Sequence, residues 1–423
     1  MYLTKDEKEM LEGEHGPARQ KAMELLIKYG EALGAERFID VTNVHIALGA
    51  HPFVRQFSKP DGDAVYSEFY LDSRESVAIP EVKTFTTTHC AAMDPENWQL
   101  LGIDPAYHEL NMTMEKLCAR IGIYFTATCT PYQVGNVPVK GEHCVWMESS
   151  AVPYCNAVLG AHTNTEGCES AGSAALTGKI PLSGYHLAEN RLGTHLVNVD
   201  IELTTVMDWD LMGYYVGEIV QLGVPVFNGV KQVPNLPKLK SLGAAGASSG
   251  GVQMYHLVGI TPEAPTIEMA FGQNKPRLTI NYGVKERKKA YENLNSGKDT
   301  NVDLVVLGCP HYSIDQISHA VTLLNGRHVH SNTDLWIWTA KQIKALADRI
   351  GYTEIISKAG GHIFTDSCPC VGHFFPEGTK VMATDSCKHA HYTPAILGFE
   401  TWYGSPEQCI AAAITGQWKG GLR

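Results

Sequence analysis

Between Gly16 and Leu33 apolar side chains recur at helical spacing (Ala18, Ala22, Leu25, Leu26, Tyr29, Leu33), with Pro17 at the first helical position. The period changes at Phe38-Ile-Asp-Val41, which reads as a short buried strand. The same alternation continues along the chain. Val82 to Thr88 predicts a strand, Thr113 to Arg120 a helix, Val197 to Leu203 a strand, Asp208 to Leu222 an amphipathic helix and Val224 to Phe227 a strand. Asp303 to Leu307 is the clearest buried strand, and Ser313 is placed to cap a helix over Ile314 to Leu324. Strands follow around Trp336, at Ile363 to Thr365 and at Val381 to Thr384, with a helix from Lys341 to Ile350 and a helix start at Ser405-Pro406, where Gln408 completes the cap. Strand, helix, strand in this order builds parallel sheets, so the fold class is α/β. The run Gly243 to Gly251, rich in Gly, Ala and Ser, reads instead as a connector, either an interdomain hinge or a close backbone approach to a ligand.

The strand-like runs stop at residues with chemistry. Tyr-Phe-Thr-Ala-Thr ends at Cys129, the 82–88 run at His89-Cys90, the 303–307 run at Gly308-Cys309-Pro310-His311, the 363–365 run at Cys368-Pro-Cys370, and the 381–384 run at Ser386-Cys387-Lys388. Glu148-Ser149-Ser150 stands at a helix start, ahead of a small-residue helix. Ligands in open α/β folds sit beyond the carboxyl ends of strands, where helix N-termini offer unpaired N–H groups. The loop Asn43 to Pro52 is open to two readings, a binding loop or a turn. Cys129, Cys309 and Cys368 are far apart in sequence yet able to meet at one sheet edge. Three thiolates with a fourth position open suit an iron-sulfur cluster. The rival is a zinc site using Cys368, Cys370 or His311, without a C-x-x-C pair to support it.

Composition narrows the class. The chain has 423 residues, 44% of them hydrophobic and 19% charged, enough for two or three subdomains with sizeable cores. A net charge of −11 with no basic block disfavours nucleic acid and anionic membrane as partners. No apolar run approaches the ~20 residues that span a bilayer, and Thr4-Lys-Asp-Glu7 reads as a capping box rather than the start of an export signal, so a cytoplasmic protein is expected. The 11 scattered cysteines suit reduced thiols, with Cys118, Cys155 and Cys409 as plain core residues. Gly172 to Gly178-Lys179 is one residue too long for a phosphate loop and is followed by Ile180, which excludes that nucleotide motif. Lys285 to Lys289 reads as a solvated helix face.

The motifs Thr128-Cys129-Thr-Pro-Tyr, Glu148-Ser149-Ser150-Ala, Val158-Leu-Gly-Ala161, Thr163-Asn164, Gly259-Ile-Thr-Pro-Glu263-Ala, Gly308-Cys309-Pro-His311, Thr365-Asp366-Ser-Cys368, and Ser386 with Lys388 are ordered across nearly the whole chain. In them the sequence resembles the catalytic large subunit of the aconitase X family, hydro-lyases related to aconitase. The resemblance implies an aconitase-like α/β fold over residues 1–423, with several three-layer subdomains around a shared cleft and a small swivelling domain supplied by a separate subunit. It implies an iron-sulfur cluster, of the 4Fe-4S or 3Fe-4S kind, on Cys129, Cys309 and Cys368, whose iron binds the hydroxyl to be eliminated. Substrate contacts would fall on Leu48, Gly49, Ala50, His89, Cys90, Glu148, Ser149 and Lys388, with Glu148 and Ser149 as the catalytic pair. The substrate implied is a small hydroxy acid, 5-phosphomevalonate ahead of cis-3-hydroxyproline because the Asn164 to Glu166 region is closer to the first group. The chain departs from both groups at His162 and Thr165, and from the first at His89-Cys90. Two other classes stay open, a non-catalytic cluster-bearing sensor or binding protein and a zinc hydrolase built on some of the 18 histidines.

Overall fold

The computed structural model describes residues 1–47 and 61–422, and there the alternation of strand and helix closes into three parallel sheets, each with its earliest strand inside. In the first, Asn43–Ile46 lies between Phe85–Thr88 and Cys144–Trp146. In the second, His195–Val199 lies between Pro225–Asn228 and Leu278–Tyr282, with His256–Leu257 at one edge. In the third, Leu304–Tyr312 lies between Asp334–Thr339 and Val381–Thr384, with Gly361–Thr365 and Glu400–Tyr403 outermost. A chain that starts in the middle, builds to one side and then crosses to the other leaves a crevice where the order reverses, beyond the strands' carboxyl ends. In the first sheet that reversal lies between the strands ending at Ile46 and Trp146, in the third between those ending at Tyr312 and Thr384. Glu148 follows the one and Lys388 the other.

The sequence accounts for these elements locally. Leu304, Val305, Val306 and Leu307 are all buried, as a parallel strand covered on both faces requires. Pro17–Ala32 buries Ala18, Ala22, Met23, Leu26 and Gly30 on one stripe. Val206–Val220 begins with a capping box between Thr205 and Asp208, and Pro406–Thr415 with one between Ser405 and Gln408. No helix among the described residues is long and apolar enough to cross a membrane.

Three expectations change. The run Gly243 to Gly251 is not a connector: Leu236–Gly250 is one helix, capped by Asn235. Its small residues let it lie close against Val206–Val220, where a Cβ on Gly213 would meet the Leu242 backbone and one on Gly250 the Gly217 backbone. Helix-helix packing outweighs the poor helix propensity of glycine there. The segment before Cys129 is extended but is not a strand of the sheet; Tyr124 makes an isolated bridge to Thr87, and Ala127 turns the chain with a φ of 44°. The small-residue helix after Ser150 is a π-helical turn at Tyr154–Leu159, and a further helix, Cys168–Thr177, was not anticipated.

Candidate active site

Leu304–Tyr312 pairs in register with its neighbour from Leu304↔Asp334 to Leu307↔Ile337, slips, and resumes at Tyr312↔Thr339. The slip begins at Gly308, whose φ of 101° favours glycine and whose missing Cβ would run into the Trp338 carbonyl. Cys309, Pro310 and His311 therefore leave the ladder, and their buried backbone groups need other partners. The His311 N–H donates to Cys129 Sγ at 3.2 Å. The His311 carbonyl accepts from Lys240 Nζ at 2.7 Å and Gln133 Nε2 at 3.2 Å.

Cys129 is carried to this point by contacts with the end of Phe85–Thr88. The Ala127 N–H donates to Thr88 Oγ1 at 2.9 Å and Thr126 Oγ1 to the Thr88 carbonyl at 2.9 Å. Cys129 thus shares a strand end with His89 and Cys90. The ligand atoms of Cys90, Cys129 and His311 lie within 4.8 Å of one another. Burial and the hydrogen bond to Cys129 push the Cys90 thiol up; burial opposes ionisation of Cys129 as well, but the Cys90 hydrogen bond and His311 hold it well below the ordinary thiol range. Cys309 and Cys368 are close enough to feel the same charges: burial raises both thiols, with the charges of Cys129 and Lys388 acting on each. Cys368 stands at the start of the short helix Pro369–Gly372, just past Asp366, whose φ is 66°.

The opposite wall is ionic. Glu148 is buried, with Oε1 at 2.6 Å from Lys388 Nζ and Oε2 at 2.5 Å from His89 Nε2. Ser150, rather than Ser149, reaches this carboxylate, through its N–H at 2.9 Å and its hydroxyl at 2.6 Å. Burial opposes ionisation of Glu148, yet the Lys388 ammonium and His89 hold its carboxyl well below the ordinary range. Burial likewise opposes the charge on Lys388, and Glu148 raises it above the usual lysine value. Behind them His45 is lowered to about 3 by burial and by His89, so it is neutral at physiological pH. The helix bearing Lys388, Cys387–Ile396, is held from the second sheet region, where Asp210 Oδ2 accepts the Cys387 N–H at 2.7 Å and the Tyr403 hydroxyl at 3.1 Å.

The donor set discriminates between metal groups. His311 is committed at both ring nitrogens: Nδ1 is hydrogen-bonded with Thr128 Oγ1 at 2.9 Å, and Nε2 must be the donor toward the Ser367 carbonyl at 2.9 Å. It is not a free ligand, which weakens the zinc expectation. Cys129, Cys309 and Cys368 do not form a group with all three sulfurs inside 4.8 Å, whereas one zinc ion with Zn–S bonds of about 2.3 Å needs them nearly that close. Buried thiols that influence one another electrostatically without closing on a single ion suit a polynuclear iron-sulfur group.

The structure thus brings together His89, Cys90, Cys129, Glu148 and Lys388, with Cys309 and Cys368 within their electrostatic reach, while Ser149 lies in the turn after Glu148. Leu48, Gly49 and Ala50 lie outside the described residues. Sequence reasoning missed Ser150 as the contact to Glu148, and missed Lys240 altogether. The signal for Lys240 was its place in the series Leu236, Leu239, Lys240, Gly243, which follows helical spacing into the run taken for a connector. A groove of about 920 Å³, lined by residues such as Thr205, Arg287 and Gln408, holds none of these groups.

Comparison with known proteins agrees with this geometry. Family models described as the Aconitase X first, second and third domains match residues 1–189, 193–292 and 302–415. The chain is 38% identical over 417 residues to the phosphomevalonate dehydratase large subunit of Methanocaldococcus jannaschii, covering 97% of this chain and 99% of that one. It is 32% identical over 418 residues to the cis-3-hydroxy-L-proline dehydratase of Pseudomonas aeruginosa, covering 98% and 70%. Among solved structures, the holo form of Thermococcus kodakaraensis aconitase X is similar with a TM-score of 0.82 and 34% identity, over 98% of this chain and 100% of that one.

Proposed function

The chain belongs to the aconitase X family and is a hydro-lyase, and from that premise we propose that it eliminates water from a small hydroxy acid with an iron-sulfur cluster held by Cys129, Cys309 and Cys368. The observation that carries this reading is the meeting of a thiol wall and an ionic wall at the reversal points of two parallel sheets. When bound, such a cluster supplies a Lewis-acidic iron for the leaving hydroxyl. The chain's own residues do the rest. Glu148, ionised beside Lys388 and His89, is the candidate to take the proton from carbon, and Lys388 the candidate to hold the substrate carboxylate when it releases Glu148. Ser150 keeps Glu148 aimed through two hydrogen bonds, leaving Ser149 free to contact substrate. The buried side chains around the cleft exclude water, so these charges act at low dielectric.

For the substrate, 5-phosphomevalonate is the first candidate and cis-3-hydroxy-L-proline the second, in line with the relatives named for each. A separate small subunit completes the proposal, because relatives named as large subunits match over nearly their full length, while the chain spans 70% of the P. aeruginosa enzyme. The test is anaerobic purification with measurement of iron, sulfide and zinc, then incubation with each candidate acid and a supplied small subunit, following the dehydrated product. Iron with sulfide and product from either acid is the expected result; zinc alone, or iron with neither acid dehydrated, would sink it.

A further inference from the structure

Lys240 is 1% exposed on Leu236–Gly250, a helix of the second sheet region, and its ammonium reaches into the third. It donates to the His311 carbonyl and to Gln316 Oε1, both at 2.7 Å, with the Pro310 carbonyl at 3.5 Å. All three acceptors are neutral, and the negative charges that act on it most are those of Cys129 and Asp385, followed by Asp315 and Cys309. A buried ammonium is costly unless a negative charge answers it, and a hydrophobic side chain is the less costly occupant of such a position.

Hydrogen bonding alone does not account for a lysine here. The His311 carbonyl also accepts from Gln133, and Gln316 Oε1 also accepts from the Ser313 N–H and hydroxyl, each at 3.2 Å. Neither acceptor would be orphaned by losing the ammonium. What only a cation provides is charge, delivered behind the loop Cys309-Pro310-His311 that the slip at Gly308 has lifted out of the sheet.

We propose that Lys240 is a buried counter-cation on the Cys129 and Cys309 side of the thiolate set, beside Lys388: it offsets part of the negative charge that these two carry as sulfur ligands and fixes the Cys309 loop in its ligating position. The inference rests on the reading that Cys129, Cys309 and Cys368 hold an iron-sulfur group. Lys240 touches neither substrate nor iron in this assignment and acts through the ligands, as a positioning residue.

The test compares wild-type protein with Lys240→Gln, which keeps hydrogen bonding without charge, Lys240→Met, which keeps neither, and Lys240→Arg, which keeps the charge. Iron and sulfide per chain, the rate of iron loss to a chelator, the midpoint potential of the bound group and the thermal midpoint of the metal-free protein are read for each. Gln and Met should lose iron about 10- to 100-fold faster than wild type, as loss of an outer partner of a metal site does. Their midpoint potentials should move to more negative values, because the added electron is no longer offset. Arg should retain the potential. The metal-free Met variant should melt no lower than wild type, since it buries no unanswered charge. If Met does not fold, Gln and Arg carry the test through their potentials alone. Wild-type iron retention and potential in Lys240→Gln would overturn the counter-cation assignment and leave the cluster reading intact. A wild-type protein free of iron and sulfide would overturn the cluster reading, and this inference with it.

Discussion

The two walls of the cleft are built by different means. The thiol wall is made by backbone exceptions: a register slip starting at Gly308, and non-glycine residues with positive φ at Ala127 and Asp366, each two residues ahead of a cysteine. The ionic wall has ordinary backbone and is held by side chains, with Glu148 bound at once by Lys388, His89 and Ser150. On the first wall, residues that bear no chemistry fix where the sulfurs point; on the second, the charged groups fix one another. Substitutions should therefore fail differently on the two sides.

The largest separation is expected between ligand and carboxylate variants. Cys129→Ser, Cys309→Ser and Cys368→Ser should each abolish both bound iron and dehydration. Glu148→Gln should keep the iron and lower the dehydration rate by about 10²- to 10⁴-fold, the range for loss of a general base. Iron, sulfide and single-turnover rates decide it. Iron lost in Glu148→Gln as well would mean that the walls are not independent.

Next in size is Lys388→Met, which removes the ammonium and leaves Glu148 buried with His89 and Ser150 as its remaining hydrogen-bonded partners. Breaking a buried pair from one side costs about 3–5 kcal/mol, to be read from urea unfolding. Replacing both, as Glu148→Gln with Lys388→Met, should recover much of that stability without recovering activity. No recovery in the double variant would show that the pair is not the source of the loss.

Gly308→Ala probes the other wall at a residue with no chemistry. An alanine there must adopt a φ of 101° and place a methyl group against the Trp338 carbonyl. The backbone term alone costs about 1–3 kcal/mol. The variant should melt lower and retain less iron, whereas an alanine at Gly326, which has a φ of 72° and whose added Cβ meets nothing within 4 Å, should melt lower yet keep its iron.

The same contrast explains what could be read in the sequence. Cys129, Cys309 and Cys368 stand out as candidates because apolar or β-branched runs stop at them, and Glu148 and Lys388 because their motifs resemble a known family. The convergence of Cys90, Cys129 and His311 was not visible, since it joins separate strand ends and no spacing encodes it. Lys240 was hidden for a related reason: the glycine-rich run beside it reads as a connector and not as part of a helix, and the glycines are explained by a partner helix that exists only in the folded chain. Ser149 and Ser150 are adjacent in sequence, and only the turn after Trp146 decides which of them faces Glu148. Local pattern carries the sheets and their ends; contacts between sheets must be observed.

The smallest effect concerns the support beneath the ionic wall. Asp210 holds the start of the helix that bears Lys388, and burial raises its carboxyl to about 7. An unfolded aspartate titrates near about 3.9, so the folded state binds the extra proton between these values. Stability contributed by the neutral form is complete below pH about 4 and is lost as pH rises toward about 7, the opposite of a salt-bridged aspartate. Asp210→Asn cannot ionise, and its amide oxygen can still accept from Cys387 N–H. Within that window wild-type protein should lose about 1.4 kcal/mol relative to the variant for each pH unit raised. Urea unfolding at pH 5 and pH 6 measures the difference. If the two proteins shift in parallel, Asp210 is ionised throughout, and the helix bearing Lys388 rests on a charge that its surroundings must answer elsewhere.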